Sequence, residues 1–146
     1  MKTPFVYTLL LTSILVACSS SDKKDPLLAE AAQYHQQATD IQAVVEPQIE
    51  QIDSLKTILS AQKTAAAQAR ATTLDSLKAA FADWEENLVE VPGMPHNHTH
   101  EHGEHHHHTD ATLKDLPAEQ MRDLQHETLK SIQQIQSRLD AVTKSI

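Results

Sequence analysis

Three stretches of this chain repeat apolar residues at intervals of three and four, and that spacing fixes the fold class before anything else is considered. The first runs through Leu27, Leu28, Ala31, Ala38, Ile41, Val45, Ile49, Ile52, Leu55 and Leu59. The second is Leu74, Leu77, Phe81, Trp84 and Leu88. The third is Met121, Leu124, Leu129, Ile132, Ile135, Leu139, Val142 and Ile146. A helix with 3.6 residues per turn brings such positions onto one face. Only two glycines, Gly93 and Gly103, occur in 146 residues. Ala, Gln, Leu, Glu and Lys fill much of the rest, a composition suited to long helices. No stripe is buried alone, so each must face the others. The expectation is an all-α protein, an antiparallel three-helix bundle spanning 25–146.

Local signals set the expected ends. Asp25 is a good helix cap, and Pro26 suits the first helical position. Pro47 lies inside the first stripe, where it removes a backbone donor and crowds the carbonyl of Ala43. The stripe resumes in register, so a kink at Pro47 is expected, with a break into two helices as the alternative. Ala61 to Ala71 has high helix propensity and little apolar bulk; it reads as a helical extension or a soft connection. Thr72-Thr73-Leu74-Asp75 has the look of a capping box and favours a fresh start there. Val91-Pro92-Gly93 should end the second stripe. Pro117 should open the last helix, with Asp115 before it and Glu119 in its first turn. Phe81 and Trp84 lie on their stripe and read as core.

The N-terminus reads as a targeting signal. Lys2 is followed by a mostly apolar run from Phe5 to Val16, too short for an ordinary membrane-spanning helix. It ends in Leu15-Val16-Ala17-Cys18. That segment resembles the bacterial lipoprotein signal, in which small residues precede a cysteine that is lipidated and becomes the mature N-terminus. The resemblance implies a signal peptide over 1–17, a lipid on Cys18 and a flexible tether over 18–24. Cys18 is the only cysteine, so no internal disulfide is available. Cleavage before it would leave eleven basic and twenty acidic residues, a net charge of −9. An acidic chain without a basic run argues against nucleic acid as a partner. The expected location is the bacterial cell envelope, with lipid anchoring to the outer membrane and the face undecided.

Eight of the ten histidines fall between His96 and Asp110, in HNHTHEHGEHHHHTD. Imidazole is the commonest metal ligand among side chains, and it binds as the neutral ring. His96, His98, His100 and His102 alternate with other residues, so in an extended chain they share a side. His105, His106, His107 and His108 are consecutive. Gly103 is a joint between the two groups. Glu101, Glu104 and Asp110 supply oxygen ligands and offset charge. Four imidazoles satisfy tetrahedral zinc, and copper or nickel ions accept the same donors. A long loop over 94–113, lacking an evident second shell, should bind divalent metal loosely and exchange it fast. That suits capture or buffering better than catalysis. No nucleophile–base pair, phosphate-cradling loop or spaced carboxylate pair stands out, so an enzyme is not expected. The other two histidines read as structural, His35 at the edge of the core and His126 on the surface. The alternative function is a bundle that docks an envelope protein partner, with the loop incidental or pH-responsive.

Ile41 to Leu59, IQAVVEPQIEQIDSLKTIL, and Leu74 to Trp84, LDSLKAAFADW, resemble a group of small, little-characterised helical lipoproteins of the Bacteroidota. These share a helix with an internal proline, a second helix carrying a tryptophan and a final helix. The resemblance covers most of the mature chain. It implies helices and anchoring, and no catalytic role.

Overall fold

A computed structural model describes residues 25–94 and 115–144. Among them all regular structure is helical. Four helices are present, α1 (Pro26–Glu50), α2 (Ile52–Gln62), α3 (Ala65–Glu86) and α4 (Ala118–Thr143). The all-α class is therefore as expected, but the described residues alone hold four helices and not three.

The first helix starts where its capping chemistry says. Asp25 Oδ1 accepts from the Leu27 N–H at 2.9 Å, and Pro26 follows. Pro47 is then tolerated inside α1. The interruption falls one turn later, at Gln51, whose N–H turns to the Ile49 carbonyl. The outcome is thus the break into two helices, the alternative to a single helix kinked at Pro47. Its physical reason is a change of partner. Over its length α1 packs chiefly on α4, whereas α2 packs on α3 and, among the described residues, not on α4. Breaking one turn past the proline lets the column leave one neighbour for the other. The apolar register survives the break, for Ile49 and Ile52 are both buried.

Alpha-helix α3 begins earlier than Thr73. Lys63 takes a left-handed conformation (φ 52°, ψ 28°), which stops α2. Thr64 then caps α3, its Oγ1 accepting from the Ala67 N–H at 3.1 Å. Thr72 and Thr73 are mid-helix, and their hydroxyls donate back to the Gln68 and Ala69 carbonyls. The alanine run therefore belongs to α3, with Ala67 buried. Its small side chains suit a close α2–α3 hairpin. Exposed pairs stitch that hairpin, Lys78 to Asp53 at 2.6 Å and Lys56 to Asp75.

The end of α3 also departs from expectation. It stops at Glu86, where Asn87 caps it by donating from Nδ2 to the Asp83 carbonyl at 2.7 Å. Val91-Pro92-Gly93 instead builds a separate turn. The Met94 N–H donates to the Val91 carbonyl, and Gly93 has φ +81°. Pro at the second place and a positive-φ Gly at the third match a type II turn. Leu88, Val89 and Val91 lie beyond the helix yet are buried. The chain thus continues to fill the core after helical bonding has ended. At α4 the Pro117 carbonyl accepts the first helical bond from Met121, at 2.9 Å.

Direction follows from side-chain links between columns. His35 meets Gln125, near the start of both α1 and α4, so these two helices run the same way. Gln42 meets Glu85, and Lys56 meets Asp75, so α3 returns against the first column. Trp84 Nε1 donates to the Thr128 carbonyl at 3.0 Å, tying α3 to α4. Phe81, Trp84, Ile52, Leu74, Ile132 and Leu139 are all buried in one apolar cluster.

Two predictions test these local assignments. Thr64→Ala should cost about 1 kcal/mol in urea denaturation, the usual value of a lost N-cap. Thr73→Ala should be neutral or slightly stabilising, since Ala is the better helix former. Separately, the Lys78 ammonium, by hydrogen bonding and charge, holds the Asp53 carboxyl below the usual carboxylate range. The pair's contribution is then present at neutral pH and is lost only as pH falls through that lowered value. In an NMR acid titration Asp53 should protonate later than an unpaired surface aspartate.

Candidate functional site

The end of the bundle where α1 and α4 begin is closed by a second apolar cluster. Ala31, Val89, Val91 and Met121 are buried there, with Leu28, Met94, Leu116 and Leu124 packed around them. These residues come from the start of α1, the segment after α3 and the start of α4. Met94 and Leu116 flank the histidine-bearing segment in the chain. Both roots of that segment therefore sit at one end of the bundle, and the chain enters α1 at the same end through Asp25.

The residues singled out for metal binding, His96, His98, His100, His102, His105, His106, His107, His108, Glu101, Glu104 and Asp110, lie outside the described residues. So does Cys18. Among the described residues no group of three or more His, Cys, Asp and Glu side chains is placed to hold a metal ion.

What the structure does assemble at this end is a buried polar network around His35. The residue is 1% exposed, which makes it core rather than the expected core edge. Its Nδ1 lies 3.1 Å from Gln125 Oε1. Gln125 is itself fully buried, and its Nε2 donates to the Val89 carbonyl at 2.6 Å. On its other side the ring presents Nε2 to Glu90 Oε2, 3.5 Å away. One network thus links α1, α4 and the segment that follows α3. The orientation of the Gln125 amide follows from the Val89 carbonyl, which accepts only from the nitrogen end. Oε1 must then face His35, so Nδ1 carries a hydrogen and donates it. In the neutral ring the lone pair belongs to Nε2.

His126 also sits deeper than the sequence implies. It is half-buried against Tyr34, with ring centroids 4.9 Å apart. The Tyr34 hydroxyl donates to Glu30 at 2.8 Å, and that bond to a carboxylate raises its pKa above the ordinary phenol value. This surface patch flanks the network on the α1–α4 side.

Sequence reasoning missed Gln125 and Glu90. The signal for Gln125 was present, because it stands four residues from both Met121 and Leu129 and so occupies the buried face of α4. Glu90 sits between the buried Val89 and Val91 and had no such signature. No family model, curated protein or solved structure matches the chain.

Replacing Gln125 by Leu should destabilise the protein by about 2–6 kcal/mol, since two buried polar groups lose their bond to it at about 1–3 kcal/mol each. The measurement is urea denaturation. Hydrogen exchange should show the amides of residues 88–91 opening more readily than those of α2.

Proposed function

We propose that this chain is a cell-envelope lipoprotein, anchored through lipid on Cys18, that collects divalent transition metal on the histidine-rich segment His96–Asp110. The observation that carries the reading is the density of ligands. Eight imidazoles and three carboxylates occupy fifteen consecutive residues. Such a segment satisfies the nitrogen preference of zinc, copper and nickel ions in several registers. Binding through neutral rings makes uptake fall as pH drops below about 6.5, where free imidazole protonates. The bundle supports the reading by its arrangement. It brings both roots of the segment to the end where the chain enters from Cys18. Asp25 lies seven positions after Cys18, a reach of about 25 Å at full extension. The metal-collecting segment is then rooted close to the lipid surface.

A second reading has its own support. Val44 and Ile58 are the large apolar side chains most exposed among the described residues, at 54% and 55%. They share a strip along the first column with Gln48, Gln51, Leu55 and Gln62, spaced alternately by four and three and free of charge. A strip of that kind suits a helical envelope partner laid alongside it.

Calorimetry separates the two. The mature protein should take up zinc and copper, and a variant with the eight loop histidines changed to Ala should lose most of that uptake. Equal uptake by both proteins would overturn the metal-collecting reading. Capture of an envelope protein that survives loop replacement but is lost on Val44→Glu with Ile58→Glu would favour the docking reading.

A further inference from the structure

We propose that the charge-free strip along α1 and α2 pairs with the same strip of a second copy of this chain, antiparallel, about a two-fold axis passing between Gln51 and Leu55. The inference rests on the docking reading above and names the partner.

The strip runs Val44, Gln48, Gln51, Leu55, Ile58 and Gln62. Its alternating intervals of four and three are those of a coiled-coil seam, in which two helices interlock side chains along one line. Val44, Gln51, Ile58 and Gln62 are exposed, and Gln48 and Leu55 are half-buried. The buried face of the column is a different one, through Ala38, Gln42, Val45 and Ile49 on α1 and Ile52 and Leu59 on α2. The column therefore carries two seams. One is closed by α3 and α4, while Val44 and Ile58 on the other remain more than half exposed.

Charge identifies the occupant. From 25 to 53 the chain has Asp25, Glu30, Asp40, Glu46, Glu50 and Asp53 and no lysine or arginine. From 54 to 74 it has Lys56, Lys63 and Arg70 and no acidic residue. The strip crosses that boundary. Asp40 stands one turn before Val44 on the same face, and Lys63 follows Gln62 at the other end. In an antiparallel pair about the stated axis, Val44 faces Gln62, Gln48 faces Ile58 and Gln51 faces Leu55 of the second copy. Every layer then joins one branched aliphatic side chain to one glutamine. Asp40 is brought to the tip of the second copy, where Lys63 lies, and the two-fold axis repeats that contact. Parallel pairing would set Asp40 beside Asp40 and Lys63 beside Lys63, and facing like charges are unfavourable. A patch complementary to itself in this way closes as a dimer. Its lack of charge also lets two acidic molecules meet without burying an unpaired ion. The strip is about 27 Å long, short for a standard interface, so the association is weak.

The test uses the full mature chain with Cys18→Ser, which removes both lipid and thiol, in the presence of EDTA so that histidines cannot bridge copies through metal. Sedimentation equilibrium between about 10 μM and 1 mM should show a monomer–dimer equilibrium, the range suited to a weak complex. Ile58→Glu, at an exposed position, should weaken it about tenfold or more, and Val44→Glu should act alike. Asp40→Lys alone and Lys63→Asp alone should each weaken it several-fold at low salt. A one-to-one mixture of those two variants should dimerise again, because each carries the charge the other lacks. Direction is read from spin labels. Twin labels at Ser54 should lie within about 20 Å of each other, and twin labels at Gln37 about 50 Å apart. A monomer throughout the range, a dimer indifferent to Ile58→Glu, or close labels at Gln37 would overturn the proposal. A monomer that still captures an envelope protein through Val44 and Ile58 would overturn self-pairing and leave the docking reading standing.

Discussion

Two long helices lying side by side and pointing the same way set the geometry of everything else. The contact faces of α1 and α4 are narrow. On α1 the buried positions are Ala31, His35, Ala38, Gln42, Val45 and Ile49, alternating by four and three. On α4 they are Met121, Gln125, Leu129, Ile132, Ile135, Leu139 and Val142. Small residues on α1 face larger ones on α4, the pairing that lets helices approach closely without voids. Because these helices are parallel, the chain between them must travel back the full length of the bundle. The α2–α3 hairpin makes that return, and the link from α3 to α4 emerges beside the entry to α1.

Polar residues inside this seam are unusual in a chain with few aromatic groups and a modest core. Each is matched from another element. His35 meets Gln125 of α4, and Gln42 donates to Glu85 of α3 at 3.0 Å. Among the described residues no buried side-chain nitrogen or oxygen lacks a partner. A shift of one helical turn between α1 and α4 would strand both His35 and Gln125 in apolar surroundings. Burial without a partner costs several times what a made hydrogen bond contributes. The seam is therefore keyed as well as apolar, and that key holds the segment Val89–Glu90 against the bundle.

Helix type and core face were legible from residue spacing. Leu74, Leu77, Phe81 and Trp84 are buried as their intervals imply, and so are Ile132, Ile135 and Leu139. Boundaries were less so. Thr64 and Thr73 are equally good caps in isolation, and what distinguished them was the left-handed turn at Lys63, a backbone choice without glycine to advertise it. The break at Gln51 depends on which neighbour α1 and α2 each meet, a tertiary fact with no local mark. At the candidate site the imidazole-rich segment was plain from composition alone. The His35 network was not, because it joins residues 90 positions apart in the chain through a glutamine that looks like any surface residue.

The turn at Lys63 and Thr64 lies opposite the roots of the imidazole-rich segment. Between them run α1 and α2, 36 helical residues interrupted at Gln51, or about 55 Å of rise. On the proposed anchoring of Cys18 to lipid, that distance would separate two environments. Ions would be exchanged in the shallow aqueous layer next to the headgroups. The alanine-rich tip would stand well clear of it, outside the reach of the bilayer's surface charge, and would be the first part of the molecule that anything arriving from the far side encounters.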